Sequence, residues 1–185
     1  WLVAVALDLG GAVVGRAERP GSLVGVPVAT LLRRLALLVA ALRTRHPALG
    51  PAGGLGVAVP GFMTRDGVVL AGPLLGWRGV DMIAALREQF DCPVMAENDA
   101  NATAHGEWHF VPEHRGGDLL AVVLAHGVGC GLMADGRILR GAHGLAGGIG
   151  RKWQFGQMVE EDCLGLAGRT FDFDQVARRP MTCRA

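Results

Sequence analysis

The sequence predicts a mixed α/β fold. Short apolar runs of strand length recur along the chain, separated by turns rich in glycine, of which there are 29. One long segment instead repeats apolar residues at intervals of three and four, which is typical of an amphipathic helix. Strand pairs followed by helices that lead back to new strands give a sheet with helices packed on it. The chain has 185 residues, half of them apolar, and is therefore long enough to bury such a core.

The first third of the chain predicts a hairpin, a long helix and a buried strand. The predicted elements are strand 2–7, turn 8–11, strand 12–18, helix 28–42 and strand 55–59. The helix is predicted because valine and leucine recur on one face, and the pair His46-Pro47 ends it. The buried strand runs directly into Pro60-Gly61, which is either a simple turn or a place where a ligand approaches the backbone.

The rest of the chain continues the alternation of strands and helices. We predict strands at 67–71, 93–97 and 118–125, helices at 80–90 and 97–108, a hairpin over 128–141, and a weakly defined helix near 158–168. Asp135-Gly136 is the predicted turn of that hairpin. Polar residues and glycines follow the strand ends, which is where ligands bind in open α/β sheets.

The segment 97-ENDAN-101 is the clearest candidate site. A strand delivers its side chains to the start of a helix. There the Asp99 carboxylate is suited to accept a proton from a substrate hydroxyl, and the Asn98 amide to bind a neighbouring hydroxyl. The structural alternative is that Asn98 or Asp99 only caps the helix.

A second candidate is the glycine-rich segment 126-HGVGCG-131. Backbone N–H groups at Gly127, Gly129 and Gly131 could face a phosphate group, as those of glycine-rich turns do. The segment has no P-loop lysine and does not open a helix. A plain, tight hairpin turn is the alternative.

Composition argues against several other classes of protein. The net charge is +1 with no clustered basic excess, so the chain itself has no nucleic-acid footprint. The cysteines are far apart in sequence, and His105 and His109, four residues apart, have no evident third ligand, so we expect no metal site. No membrane-spanning run and no charged leader with a cleavage site is evident, so we expect a cytoplasmic protein without membrane contact.

Four segments, taken in order, resemble the ROK family (repressor, open reading frame, kinase) over residues 1–152. They are 2-LVAVALDLGGAVVGRAERP-20, 57-VAVPGFMTRDGVVLAGPLLGW-77, 92-CPVMAENDANATAHGEW-108 and 122-VVLAHGVGCGLMADGRILRGAHGLAGGIG-150. The resemblance implies an actin-like, RNase H-like α/β fold. Its members are sugar kinases or sugar-responsive transcriptional regulators with an added DNA-binding helix-turn-helix.

One part of the family fold is expected to be absent. The turn 8-DLGG-11 resembles the family's phosphate loop, but two strands separate that loop from the first helix in the kinases, and only 12–18 fits here. We therefore expect an incomplete actin-like domain over 1–152, lacking its first strand and phosphate loop. Residues 153–185 are expected to form a divergent C-terminal remnant, and further chain is expected upstream of Trp1.

Other departures from the family pattern affect the sugar and zinc sites. The segment 146-AGGIGR-151 stands where the family has AGEIGH. The resemblance therefore implies that Gly148 replaces a sugar-binding glutamate and that Arg151 replaces a zinc-binding histidine. The cysteine-rich zinc segment is also absent, so we expect the zinc site to be lost. His126 replaces the threonine of the family's second phosphate loop.

Three sugar-site residues match the family pattern. The resemblance implies that Asn98 and Asp99 hold the sugar, that Asp99 is the catalytic base where the member is a kinase, and that Gly61 lies near the sugar. These residues are therefore the predicted substrate-binding set.

The resulting functional hypothesis is a sugar-binding effector domain of a ROK transcriptional regulator, separated from its helix-turn-helix. Its partners are a small sugar, DNA only through the absent upstream domain, and by family analogy a second copy in a homodimer. The alternative is a fragment of a ROK sugar kinase acting on a hexose or N-acetylhexosamine, which would need ATP and Mg²⁺. We expect that fragment to be inactive, because phosphoryl transfer requires both phosphate loops. A remnant without any ligand is the third possibility.

Overall fold

The computed structural model describes residues 1–124 and 127–149, together with the backbone of Trp153–Gln154 and Gln157–Met158. The strands are β1 Leu2–Leu7, β2 Val13–Arg19, β3 Leu55–Val59, β4 Phe62–Met63, β5 Val68–Ala71, β6 Val80–Asp81, β7 Val94–Asn98, β8 Leu119–Leu124, β9 Val128–Ala134, β10 Arg137–Ile138, β11 Trp153–Gln154 and β12 Gln157–Met158. The helices are α1 Val28–Arg45, α2 Met82–Arg87 and α3 Asp99–Phe110, followed by a short 3₁₀ turn at Pro112–His114.

The strands form a mixed set of small sheets. β1 and β2 pair antiparallel, and β3 and β7 pair in parallel. The order β10-β9-β8 forms an antiparallel sheet, as does β4-β5-β6, and β11 pairs with β12. The parallel pair joined through intervening helix, beside antiparallel hairpins, agrees with the predicted α/β class.

Local hydrogen bonds explain the predicted hairpin turns. The Asp8 side chain accepts hydrogen bonds from the backbone N–H groups of Gly10, at 2.8 Å, and Ala12, at 2.9 Å, and so closes the β1–β2 turn on itself. Asp135 and Gly136 both have positive φ, 49° and 70°, as a tight two-residue hairpin turn requires. Both hairpins lie where the sequence predicted them.

Helix α1 packs one leucine-rich face into the core, as its apolar periodicity predicted. The buried leucines of its inner face are Leu31, Leu32, Leu35, Leu38 and Leu42. The first three pack in a cluster with residues of β3, β5 and α2, and the last two pack against Ala17 of β2. The helix ends at Arg45, just before His46-Pro47.

Helix α2 is shorter than predicted. The prediction of a helix over 80–90 was wrong at its start, because Val80 and Asp81 pair with β5 as strand β6. The Asp81 side chain then accepts a 2.9 Å hydrogen bond from the Ala84 N–H and caps the helix, which begins at Met82. The helix predicted near 158–168 lies outside the described residues, except that Met158 belongs to strand β12.

Helix α3 packs closely on the β8–β9 hairpin through a glycine. A side chain on Gly131 would overlap the Ala100 carbonyl oxygen and come within 2.6 Å of the Ala104 Cβ. Ala100 and Ala104 are themselves fully buried. Small residues on both surfaces therefore set the position of α3, and with it the position of the segment that begins the helix.

A cavity of about 1080 Å³ lies between the separate sheets. Its walls come from the starts of β1 and β9, the ends of β3 and β7, the inner face of α1 and the loop 144–148. Within residues 1–124 and 127–149, no helix is both long and apolar enough to cross a membrane.

Candidate functional site

The site is built where strand β7 ends and helix α3 begins. The Asn98 side-chain oxygen accepts hydrogen bonds from the N–H groups of Ala100 and Asn101, both at 3.0 Å. These bonds satisfy backbone donors that have no partner inside the helix. The predicted structural role of Asn98 as a helix cap is therefore present, and it fixes the direction in which the next side chain leaves the helix.

The same asparagine connects α3 to the turn after β3. Its amide nitrogen donates a 2.8 Å hydrogen bond to the Gly61 carbonyl and a 3.0 Å bond to Oδ1 of Asp99. Gly61 has φ +132°, and a Cβ there would lie 2.7 Å from the Ala71 carbonyl oxygen, so only glycine fits. Gly61, Asn98 and Asp99, predicted to act together, do lie together on the cavity wall.

Asp99 is the carboxylate of the site. Its Oδ1 accepts hydrogen bonds from the Asn98 amide and from the Ala100 N–H, each at 3.0 Å. Within residues 1–124 and 127–149, these two hydrogen bonds both end on Oδ1. Burial raises the pKa of Asp99, and its hydrogen bonds, which favour the ionised form, offset only part of that effect. One oxygen is thus held in place while the other remains available to a ligand hydroxyl.

Glu97 supports this segment from behind. Its Oε1 accepts hydrogen bonds from the Asn98 N–H and the Asn101 amide, both at 3.0 Å, and its Oε2 pairs with the Arg140 guanidinium. Arg140 follows strand β10 and is 43 positions away in sequence. The pair ties the end of β7 to the last hairpin. Spacing gave no signal for this contact, so the sequence analysis did not identify Arg140.

The glycines of the second candidate segment are divided between two roles. Gly129 and Gly131 lie inside strand β9, opposite Val123 and Ala121 of β8. Gly131 is needed for the close packing of α3 and does not border the cavity, whereas Gly127 and Gly129 do. His126 lies outside the described residues. Gly129 and Gly131 are therefore part of a hairpin, while contact of Gly127 and Gly129 with a phosphate group stays a prediction.

The loop 141–149 forms another part of the cavity wall. The Cys130 N–H donates a 2.9 Å hydrogen bond to the Gly147 carbonyl, and the Ala146 N–H donates a 3.1 Å bond to the Arg140 carbonyl. Gly148 and the Phe62 ring meet at this wall. Arg151, the other predicted replacement in this motif, lies outside the described residues. The sequence analysis did not identify Phe62, whose apolar type is equally consistent with core packing.

The His105 and His109 rings lie next to each other on the surface of α3, with their planes tilted by 48°. Their ring centroids are 4.3 Å apart. Within the described part of the chain, no group of three or more His, Cys, Asp and Glu side chains is placed to hold a metal ion.

A family model and individual relatives of known name both match this chain. The model of the ROK family matches residues 16–163. A xylose repressor of Caldicellulosiruptor bescii is 37% identical over 98 residues, which are 52% of this chain and 25% of the repressor. A glucokinase of Halalkalibacterium halodurans is 38% identical over 98 residues, which are 52% of this chain and 30% of the kinase.

The fold comparison agrees with the sequence matches. The crystal structure of an inorganic polyphosphate/ATP-glucomannokinase from an Arthrobacter species aligns with a TM-score of 0.73 at 26% identity. The alignment covers 86% of this chain and 62% of that one. Such kinases have the actin-like α/β fold, so the predicted fold class is confirmed. The chain spans about a quarter to a third of the length of the two sequence relatives.

Proposed function

The chain belongs to the ROK family, and we propose that it is the sugar-binding effector domain of a transcriptional regulator of that family. The observation that carries this proposal is the convergence of Gly61, Asn98 and Asp99 on one cavity wall. A sugar hydroxyl that donates to the available oxygen of Asp99 would form a charge-assisted hydrogen bond.

The charge of the cavity favours a neutral ligand. Among the described residues that border it, only Asp99 has an acidic or basic side chain, and the other polar side chains are uncharged. Phosphoryl transfer depends on positive groups or metal ions that stabilise phosphate oxygens. A polyhydroxylated, uncharged sugar needs only hydrogen-bond acceptors, donors and apolar surface, and these are what the wall provides.

The names of the two sequence relatives suggest which sugars to test and which regulatory role to propose. Similarity to a xylose repressor makes D-xylose the first candidate ligand, and similarity to a glucokinase makes D-glucose the second. In a regulator of this kind, a helix-turn-helix outside the effector domain would contact DNA. A homodimer is the assembly that we propose for the whole protein.

The test of sugar binding is isothermal titration calorimetry with D-xylose, D-glucose and N-acetyl-D-glucosamine. We expect one of these sugars to bind the unmodified chain and to lose measurable affinity in Asp99→Asn. Asp91→Asn is the matched control, because Asp91 is exposed and does not border the cavity. A folded chain that binds none of the sugars would overturn the proposal.

The second candidate function is sugar phosphorylation by a ROK kinase acting on a hexose or N-acetylhexosamine. It is favoured by the glucokinase match and by Asp99, which borders the cavity and would act as the base toward a sugar hydroxyl. The discriminating assay measures ADP release with ATP, Mg²⁺ and each sugar. The effector-domain proposal predicts no sugar-dependent ADP. Sugar-dependent release that disappears in Asp99→Asn would establish the kinase instead.

A further inference from the structure

Phe62 and Gly148 form a second contact within the cavity wall. A Cβ built on Gly148 would lie 2.6 Å from Cε1 and 3.4 Å from Cδ1 of the Phe62 ring. The edge of the ring therefore lies directly against the Gly148 backbone. Phe62 is half-buried, and both residues border the cavity that also contains Asn98 and Asp99.

The backbone on both sides of this contact is fixed. Phe62 directly follows Gly61, whose carbonyl is bound by the Asn98 amide at 2.8 Å. On the other side, Gly147 is bonded to Cys130, and a side chain on Gly147 would overlap the Cys130 carbonyl oxygen. A larger residue at position 148 would therefore have to displace the Phe62 ring, because neither backbone segment has room to withdraw.

We propose that Phe62 is a specificity-determining residue whose ring packs on the C–H face of a pyranose sugar, and that Gly148 keeps the space that this ring requires. This inference rests on the proposed sugar-binding function. A pyranose carries polar hydroxyl groups at its edge and apolar C–H groups on its faces. The wall matches both, since Asp99 receives a hydroxyl while the aromatic ring covers an apolar face.

The hydrogen bond between Asn98 and Gly61 connects the two proposed sugar contacts, at Asp99 and at Phe62. Because Phe62 is the next residue after Gly61, the bond links the backbone that carries the aromatic ring to the segment that carries the Asp99 carboxylate. A cyclic sugar of fixed shape satisfies both contacts at once, whereas an open-chain polyol must first lose conformational freedom. The site should therefore select D-xylose over xylitol, and D-glucose over D-sorbitol.

The experiment uses calorimetry to measure dissociation constants for two ligands. One is D-xylose or D-glucose, whichever binds the unmodified chain more tightly, and the other is the corresponding polyol, xylitol or D-sorbitol. We expect Phe62→Ala to weaken binding of the sugar about tenfold, or about 1.4 kcal/mol, and to reduce its preference over the polyol. Phe62→Tyr should retain both. Phe62→Leu keeps apolar bulk without the flat ring, so we expect it to weaken binding as Phe62→Ala does.

Gly148→Ala completes a double-mutant cycle with Phe62→Ala. Alone it should weaken sugar binding about tenfold by displacing the ring, and it should add no further loss where Phe62 is already Ala. Gly53→Ala is the matched control, because a Cβ at Gly53 meets no atom within 4 Å. Melting temperatures of the ligand-free variants report folding separately.

The outcomes separate the two proposals. Sugar binding that stays within about twofold in both Phe62→Ala and Phe62→Leu would overturn the role of the ring and leave the proposed function intact. An equal loss from Gly148→Ala in both backgrounds would also overturn it. Absence of sugar binding by the folded, unmodified chain would overturn the proposed function and this inference together.

Discussion

The Asn98 side-chain amide donates a 2.8 Å hydrogen bond to the Gly61 carbonyl oxygen, and so joins the start of α3 to the turn after β3. The two residues are 37 positions apart in sequence. The oxygen of the same amide caps α3. One side chain therefore both begins the helix and fixes the turn that continues into Phe62.

Replacing Asn98 separates these two roles. Asn98→Ala removes the cap and the link, and we expect a loss of about 1 kcal/mol in the free energy of unfolding from the cap alone. Asn98→Ser keeps a capping oxygen for the Ala100 and Asn101 N–H groups but is too short to reach the Gly61 carbonyl. Urea unfolding should therefore show less loss for Ser than for Ala, while calorimetry shows weakened sugar binding in both. Full sugar affinity in Asn98→Ser would contradict the role of the link.

Asp99 should reduce stability in the absence of ligand. Its pKa is raised by burial, so the folded state favours the protonated form, and stability from this group is present at low pH and falls as pH rises through the raised pKa. We expect Asp99→Asn to melt at a higher temperature than the unmodified chain at pH 7. The difference should disappear below the ordinary pKa of 3.8, where both side chains are neutral. A lower melting temperature for the variant at pH 7 would contradict this account.

Arg140 and Glu97 should be energetically coupled. Both side chains are partly buried, with 33% and 25% of their surface exposed, so the surrounding water screens the pair only in part. Arg140→Met leaves the Glu97 carboxylate without its cation, and we expect a loss of about 1–3 kcal/mol in unfolding free energy. Adding Glu97→Gln to that variant should recover part of the loss. Strictly additive effects in urea unfolding would show that the pair is not coupled.

Gly131 should tolerate no side chain. Gly131→Ala places a methyl group against the Ala100 carbonyl and must push α3 away from β9, at a cost of about 1–3 kcal/mol. Gly56→Ala is the matched control, because Gly56 also lies in a strand and its Cβ meets no atom within 4 Å. Equal unfolding free energies for the two variants would contradict the packing described for α3.

Regular elements were predictable from sequence where one physical pattern was sufficient. The leucine spacing of α1 and the Asp135-Gly136 turn carry their own signal, and both were confirmed. The start of α2 was mispredicted because pairing with β5 draws Val80 and Asp81 into a strand. The spacing of apolar residues along the chain does not reveal such a pairing between strands.

The candidate site was predictable only in its contiguous part. Asn98 and Asp99 are adjacent, whereas Gly61 was a separate candidate that only the family resemblance joined to them. The contacts of Glu97 with Arg140 and of Phe62 with Gly148 join segments that are distant in sequence. No local spacing rule predicts which distant residues a fold brings together, so these partners required the structure.

The most direct test of the central claim is a thermal-shift titration of the unmodified chain, Asp99→Asn and Asp91→Asn with D-xylose and D-glucose. A ligand at one hundred times its dissociation constant stabilises the folded state by about 2.7 kcal/mol, which is about 5–10 °C for a chain of this size. We predict that one sugar gives this shift in the unmodified chain and in Asp91→Asn, and none in Asp99→Asn. Equal shifts in all three proteins, or no shift in any of them while they remain folded, would contradict a sugar site at Asp99.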